Sequence, residues 1–164
     1  MPGPVIKYGY KGKIYLNGGT YGSPTWNEVK NVREVKVGGE MGDSDGTTRA
    51  GGGTEQSEPV LRKLGVTGKI RSDDSDTTGY IALETAFLTR GVLDVMLMDG
   101  DKGVAGNRGY RFDAKNFTWP EDQANDGILW RDFDLRPCIS ANPVCQAVAT
   151  AGDDSVTVVF TDLT

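Results

Sequence analysis

Apolar and polar residues alternate along much of this chain with the period of two that marks a half-buried strand. In Lys11–Asn17 (KGKIYLN), Lys13, Tyr15 and Asn17 fall on one face and Ile14 and Leu16 on the other. Trp26–Val37 (WNEVKNVREVKV) predicts a longer strand whose apolar positions change parity between Val32 and Val35, so a bulge is expected near Asn31–Arg33. Val60–Ser72 and the largely apolar Val92–Met98 read as strands, as do Tyr110–Trp119 and Ile128–Ile139, joined by the acidic turn Pro120–Gly127. In the last two, Tyr110, Phe112 and Ala114, then Phe133 and Leu135, alternate with charged residues, the pattern of strands with one wet face. Ser140–Gly152 reads as irregular and Ser155–Thr161 (SVTVVFT) as a final strand.

One stretch has helical spacing instead. In Tyr80–Thr89, Tyr80, Leu83 and Phe87 recur at i, i+3 and i+7, with Ile81 and Leu88 beside them. The Asp/Ser/Thr cluster Asp73–Thr78 precedes it as a capping segment. Arg90 follows where a cation opposes the helix dipole, and Gly91 is a natural residue for the left-handed turn after a helix. A short amphipathic helix of this kind packs one face on a sheet.

Between the second and third strands lies Gly38–Glu58 (GGEMGDSDGTTRAGGGTEQSE), glycine-rich, charged and almost free of large apolar side chains. A loop of that length is unusual inside a compact domain. Its composition cannot bury enough apolar surface to offset its own ordering entropy, so it is expected to be ordered by something outside the chain. That points to an assembly protein. With 23 glycines and only short apolar runs, the 164 residues suit one turn-rich β domain, preceded by a proline-containing arm over residues 1–9. No run is long enough to cross a bilayer and no signal-like apolar core opens the chain, so a soluble, non-exported protein is expected.

Charge and chemistry narrow the reading. Residues 1–37 carry six Lys/Arg against two Glu, a net +4, which leaves −9 for the rest of a chain of net −5. After Arg136 there is no basic residue, only Asp153, Asp154 and Asp162. An acidic chain is a poor wrapper of nucleic acid. Attraction between a basic N-terminal region and the acidic remainder of another copy is the alternative use of that asymmetry. The absence of histidine removes the commonest general base and most zinc and copper sites. Cys138 and Cys145 are expected as reduced, partly buried thiols.

Three acidic turns, Asp43–Gly46, Asp73–Asp76 and Asp99–Gly103, raise a calcium reading. An EF-hand loop requires glutamate at position 12; from Asp43 that position is Thr54, and from Asp99 it is Tyr110. Solvated turns and helix capping explain them better. The glycine clusters lack the lysine and the strand-to-helix setting of a nucleotide loop. Carboxylate pairs such as Glu121/Asp122 and Asp132/Asp134 are surface neighbours rather than groups flanking a cleft. No catalytic residue, cofactor or metal is therefore expected. Trp26, Trp119 and Trp130 could form a sugar-binding platform on a β-sandwich, which makes a carbohydrate-binding module the principal rival.

Several segments, in order, resemble the tail tube proteins (major tail proteins) of long-tailed phages. These are KGKIYLNGG, TWNEVKNVREVKV, the loop ending DGTTRAGGG, VTGKIRS, IALETAFLTRG and VLDVMLMDGD, spread over roughly residues 10–140. The resemblance implies an antiparallel β-sandwich or rolled sheet with one flanking α-helix and no enzymatic activity. It implies hexameric rings whose sheets join edge to edge and stack into the virion tail tube, the conduit for genome delivery. Its partners would be further copies, a tape measure protein and tail initiator and terminator proteins, with DNA only in transit and no membrane. Residues 38–59 would be the assembly loop, with Gly42, Asp43, Asp45, Thr47, Thr48, Arg49 and Glu55 reaching a neighbouring subunit or ring. Lys11, Lys13, Arg33 and Lys36 would face acidic neighbours across ring contacts. Residues 140–164 form a C-terminal extension beyond the resemblance, either an added strand or an arm. Another virion ring protein, such as a tail terminator, shares the same residue types.

Overall fold

The computed structural model describes residues 11–45, 57–123, 127–152 and 155–163. Ten strands and one helix follow in the order β1 (Lys13–Asn17), β2 (Trp26–Glu28), β3 (Val32–Asp45), β4 (Ser57–Arg71), α1 (Tyr80–Thr89), β5 (Leu93–Met98), β6 (Arg108–Asn116), β7 (Glu121–Gln123), β8 (Leu129–Pro137), β9 (Cys145–Ala151) and β10 (Val156–Asp162). Every pairing is antiparallel. The main path runs β2-β1-β5-β6-β8-β4-β3, and β9 and β10 branch from it at β6. The fork lies within one strand: Arg108–Arg111 pair with β9, whereas Ala114–Asn116 pair with β8.

Two cores follow from this path. Ile14 and Leu16 of β1 share the larger core with Val66 and Ile70 of β4, although three strands separate β1 from β4 in the sheet. The sheet must therefore curl until its two ends meet over Val95, Leu97, Phe112, Phe133 and Leu135. The smaller core lies on the reverse face of β1 and β5, where Tyr15, Met96 and Met98 are covered by Ala147 and Ala149 of β9 and by Val156, Val158 and Phe160 of β10. The fold is mainly β, an antiparallel rolled sheet with one flanking helix.

Helix α1 spans the residues its periodicity indicates and buries Tyr80, Leu83 and Ala86. Its apolar residues cover more than one face: Ile81, Ala82 and Phe87 also pack on the core, and Leu88 is exposed. The N-cap residue is Gly79, which has no side chain to cap with; Asp76, three residues earlier, accepts the Gly79 N–H at 2.9 Å and the Tyr80 N–H at 3.2 Å. The left-handed residue after the helix is Arg90, at φ 55°, one position earlier than the glycine suggests. Asp76→Ala should cost about 1 kcal/mol by orphaning these donors, lowering the thermal midpoint by about 2–4 °C in a chain of this size. Thermal unfolding followed by far-ultraviolet circular dichroism checks it.

The strand readings need four corrections. The bulge lies at Arg33–Lys36, with Glu34 at φ 54°, and the expected single strand 26–37 breaks at Val29–Asn31. Gly38–Asp45 and Ser57–Pro59 belong to paired strands, not to a loop. Ladder bonds need only backbone, so a glycine-rich segment whose side chains argue against a strand still pairs when its partner lies alongside. The C-terminal segment is likewise a hairpin built into the second core, not an irregular run with one strand. Finally, the charged face of β6 is buried: Arg111 and Asp113 are 3% and 7% exposed.

Candidate assembly surface

Strand β4 pairs with β8 only from Val66 to Arg71. From Gly65 to Ser57 it pairs with β3 alone among the described residues, through a ladder running from Gly38↔Gly65 to Asp45↔Ser57. The two strands thus leave the body as a ribbon whose eight β3 residues, Gly38–Asp45, reach about 27 Å at the usual rise per residue. Of the residues expected to carry assembly, Gly42 pairs with Leu61, Asp43 with Pro59 and Asp45 with Ser57. Thr47, Thr48, Arg49 and Glu55 lie outside the described residues. A two-stranded ribbon is marginal on its own, and both its outer edges carry backbone groups with no ladder partner among the described residues.

At the root of the ribbon the chain turns sharply through the bulge. The Arg33 guanidinium stacks 3.8 Å from the Trp130 ring centroid, and Lys69 lies within 3.9 Å of Glu34, Asp122 and Asp132. Where β4 parts from the end of β8, an open groove of about 770 Å³ is lined by Lys36, Lys63, Asp134 and Arg136 together with Val37, Leu64 and Pro137. Arg136 chelates Asp134 through two nitrogens, and that hydrogen bonding raises its pKa above the usual value. A Cβ at Gly65 would stand a tight 3.3 Å from the Leu135 carbonyl oxygen.

The basic residues expected at ring contacts do not gather in one place. Lys36 lines the groove and Arg33 flanks the bulge. Lys13 sits on the far side of the sheet, holding Glu28 at 2.7 Å and Asp101 at 3.7 Å; the Glu28 hydrogen bond raises its pKa. Lys11 is exposed just before β1.

Composition and spacing do not reveal the cage around Arg111. Its Nε donates to Asp94 at 3.0 Å and its Nη2 to Asp94 at 2.6 Å and to the Tyr21 carbonyl at 2.8 Å. The guanidinium lies 3.7 Å from the Tyr21 ring centroid, 4.6 Å from that of Phe160 and 5.1 Å from that of Trp26. Burial opposes the charge, but Asp94 more than offsets it and the pKa rises. Burial pushes the Tyr21 phenol up to about 12 and also raises the Cys145 thiol, which lies 3.7 Å from the Tyr21 hydroxyl. The cage ties β5, β6, the β1–β2 turn and β10 together, so it fixes the C-terminal hairpin to the body.

The acidic turns serve the backbone. Asp73 accepts the Ser75 N–H and O–H, which hold its carboxyl below the usual range. Asp99 accepts the Arg108 N–H and Asp101 the Gly103 N–H. No group of three or more potential metal ligands gathers among the described residues. The tryptophans are dispersed: Trp119 is buried against Tyr80 in the larger core, Trp26 packs on Phe160 at the smaller one, and Trp130 lies under Arg33. They form no shared platform. No helix among the described residues is long and apolar enough to cross a membrane.

No protein-family model matches the chain, and no curated protein sequence does. Solved structures do match it. A chain in the tail of an empty gene transfer agent particle, refined with six-fold symmetry, superposes with a TM-score of 0.61 at 14% identity, covering 82% of this chain and 96% of that one. A chain in the virion of the native gene transfer agent gives 0.59 at 13% identity, over 95% and 99%. The SPP1 tail tube gives 0.62 at 9% identity, over 96% and 80%. At these identities the likeness is one of fold, and the tail-tube resemblance read in the sequence holds at that level.

Proposed function

We propose that this chain is a structural subunit of a virion tail tube, assembling through further copies of itself rather than catalysing a reaction. The observation that carries the proposal is the tail fold, shared along nearly the whole length of both chains with a gene transfer agent virion protein. The projecting β3–β4 ribbon supplies a physical means. Its open edges gain hydrogen bonds and cover only when a neighbour supplies another strand or surface. The six-fold symmetry of the gene transfer agent tail supports hexameric rings as the repeating unit. Stacked rings would enclose a tape measure protein and later conduct DNA, with initiator and terminator proteins at the two ends. An acidic subunit suits a lumen through which DNA passes without binding. The dispersed tryptophans weigh against the carbohydrate-binding reading.

The test is negative-stain electron microscopy with sedimentation, on fresh and on concentrated protein. Rings or hollow tubes are the expected result. Replacing Gly46–Gln56 by an Asn-Gly turn, which suits a two-residue hairpin, should leave a monomer with unchanged circular dichroism and no tubes. Tubes of normal length from that variant would remove residues 46–56 from assembly. Glycan retention by a protein that stays monomeric at every concentration would replace the tail reading with the carbohydrate one.

A further inference from the structure

Two open strand edges of opposite character lie in this one chain. One is the β4 edge beyond Gly65, where the ladder with β8 stops at Val66↔Leu135 and β8 itself runs only two residues further, to Pro137, and the groove there holds Lys36, Lys63 and Arg136 beside Val37, Leu64 and Pro137. Among the described groove residues only Asp134 is acidic, and Arg136 already engages it. The other is the outer edge of β10, which pairs only with β9 among the described residues. It belongs to a stretch, residues 137–164, with three aspartates and no lysine or arginine. On β10, Val159 is 49% exposed and Asp162 is exposed. Each surface thus combines backbone groups without a ladder partner among the described residues and an apolar contact, and the two chain segments differ in the sign of their charge.

We propose that the groove at the root of the ribbon receives the acidic β9–β10 hairpin of a second copy of this chain. The contact extends the sheet beyond the end of β8, with a foreign strand continuing along β4. Cations and aspartates set its register and exclude the wrong pairing of two grooves or two hairpins. Because the two surfaces differ, the contact is head to tail, and it closes into a ring when the rotation per copy divides the circle. The Arg111 cage has a part in this: it holds the donating hairpin in a fixed pose on its own body, so no ordering cost falls on association. This inference rests on the proposed self-assembly and specifies which surfaces meet.

Charge reversal in two complementary variants tests it. Lys36→Glu/Lys63→Glu reverses the groove, and Thr157→Lys/Asp162→Lys reverses the hairpin, all at exposed positions. Each variant alone places like charge against like, and its threshold concentration for assembly should rise by at least about tenfold. Mixed one to one, each groove finds an opposite hairpin in the other variant, and alternating assemblies should return to within about twofold of the wild-type threshold. Thermal midpoints equal to wild type show that the folds are intact. Because Asp162 also accepts from the Cys145 thiol at 3.2 Å, Thr157→Lys/Thr161→Lys replaces the second variant if its midpoint falls. Wild-type assembly in either variant alone overturns the pairing while leaving the tail reading standing. Failure of the mixture, with both folds intact, also overturns it, since the groove then has another partner. A groove variant that assembles normally but loses retention of DNA at low salt makes the groove a polyanion track instead. Absence of assembly in the wild type under every condition, with both variants equally monomeric, removes the tail reading and this inference together.

Discussion

Arg111→Met should destabilise the protein by about 3–5 kcal/mol, because removing one partner of a buried ion pair leaves the other charge uncompensated. The abandoned group is Asp94, whose side chain is only 12% exposed and keeps Asn17 Nδ2 at 2.8 Å as its other partner. Methionine has nearly the right length to fill the space among Tyr21, Trp26 and Phe160, so little of the loss should come from a cavity. The Arg111→Met/Asp94→Leu double variant should recover much of the loss, since no unpaired charge then remains. Urea unfolding of the three proteins checks this. A single variant within about 1 kcal/mol of wild type would mean that water reaches Asp94 and the cage is not closed. The loss should appear first in the C-terminal hairpin. Hydrogen exchange at β9 and β10 is expected to accelerate before that of α1, because Phe160 loses its contact with the guanidinium whereas Leu83 is untouched.

Gly109→Ala should have an effect of the same order from a different cause. Gly109 faces Met98 of β5 on one side and Ala147 of β9 on the other, at the start of the forked strand. A Cβ there would coincide with the Leu97 carbonyl oxygen and stand 2.9 Å from the Met98 Cα, both backbone atoms. No rotamer change can relieve a backbone clash, so β5 or β6 must move and the ladder between them must break. A loss above about 4 kcal/mol, in the exceptional range for one substitution, is expected, with most of the protein in inclusion bodies on expression. Gly106→Ala offers a contrast. Gly106 has φ 89° but open space around its Cβ position, so the cost should be the left-handed penalty of about 1 kcal/mol. Soluble Gly109→Ala with a wild-type midpoint would mean that the two strands lie farther apart than this geometry.

Local pattern was enough for the elements whose burial is one-sided. Ile14 and Leu16 alternate in β1 and both enter the larger core, and Phe133 and Leu135 do the same in β8. The apolar run Tyr80–Thr89 marks the helix end to end, although its apolar residues cover more than one face. The same logic misreads Tyr15 and Arg111. Each shares its strand face with polar residues in the sequence, yet both are buried. The reason is the β9–β10 hairpin, which covers that face from a distance of 30 residues or more along the chain. Strand β9 itself escaped notice because its buried positions are Cys145, Ala147 and Ala149, small residues with little strand preference. Ala147 and Ala149 pack in one cluster with Met96 and Met98, where larger side chains would compete for the space.

The ribbon shows the same division. Composition marked residues 38–58 as a segment that cannot bury its own apolar surface, and the structure leaves Gly38–Asp45 and Ser57–Gly65 beyond the shared sheet with no third strand among the described residues. Composition could not show that the ends of this segment pair with each other, since ladder hydrogen bonds draw on backbone that every residue but proline possesses in full. By itself, then, the sequence determined the β class, the single helix, the charge division between the two ends of the chain and the segment poorest in apolar residues. All of these are sums or periods over neighbouring residues. Only the tertiary structure decided the fork in β6, the burial of both faces of β1 and β5, the Arg111 cage and the juxtaposition of Lys36 with Arg136. Each depends on which distant strands lie side by side, a choice made by the packing of the whole chain at once.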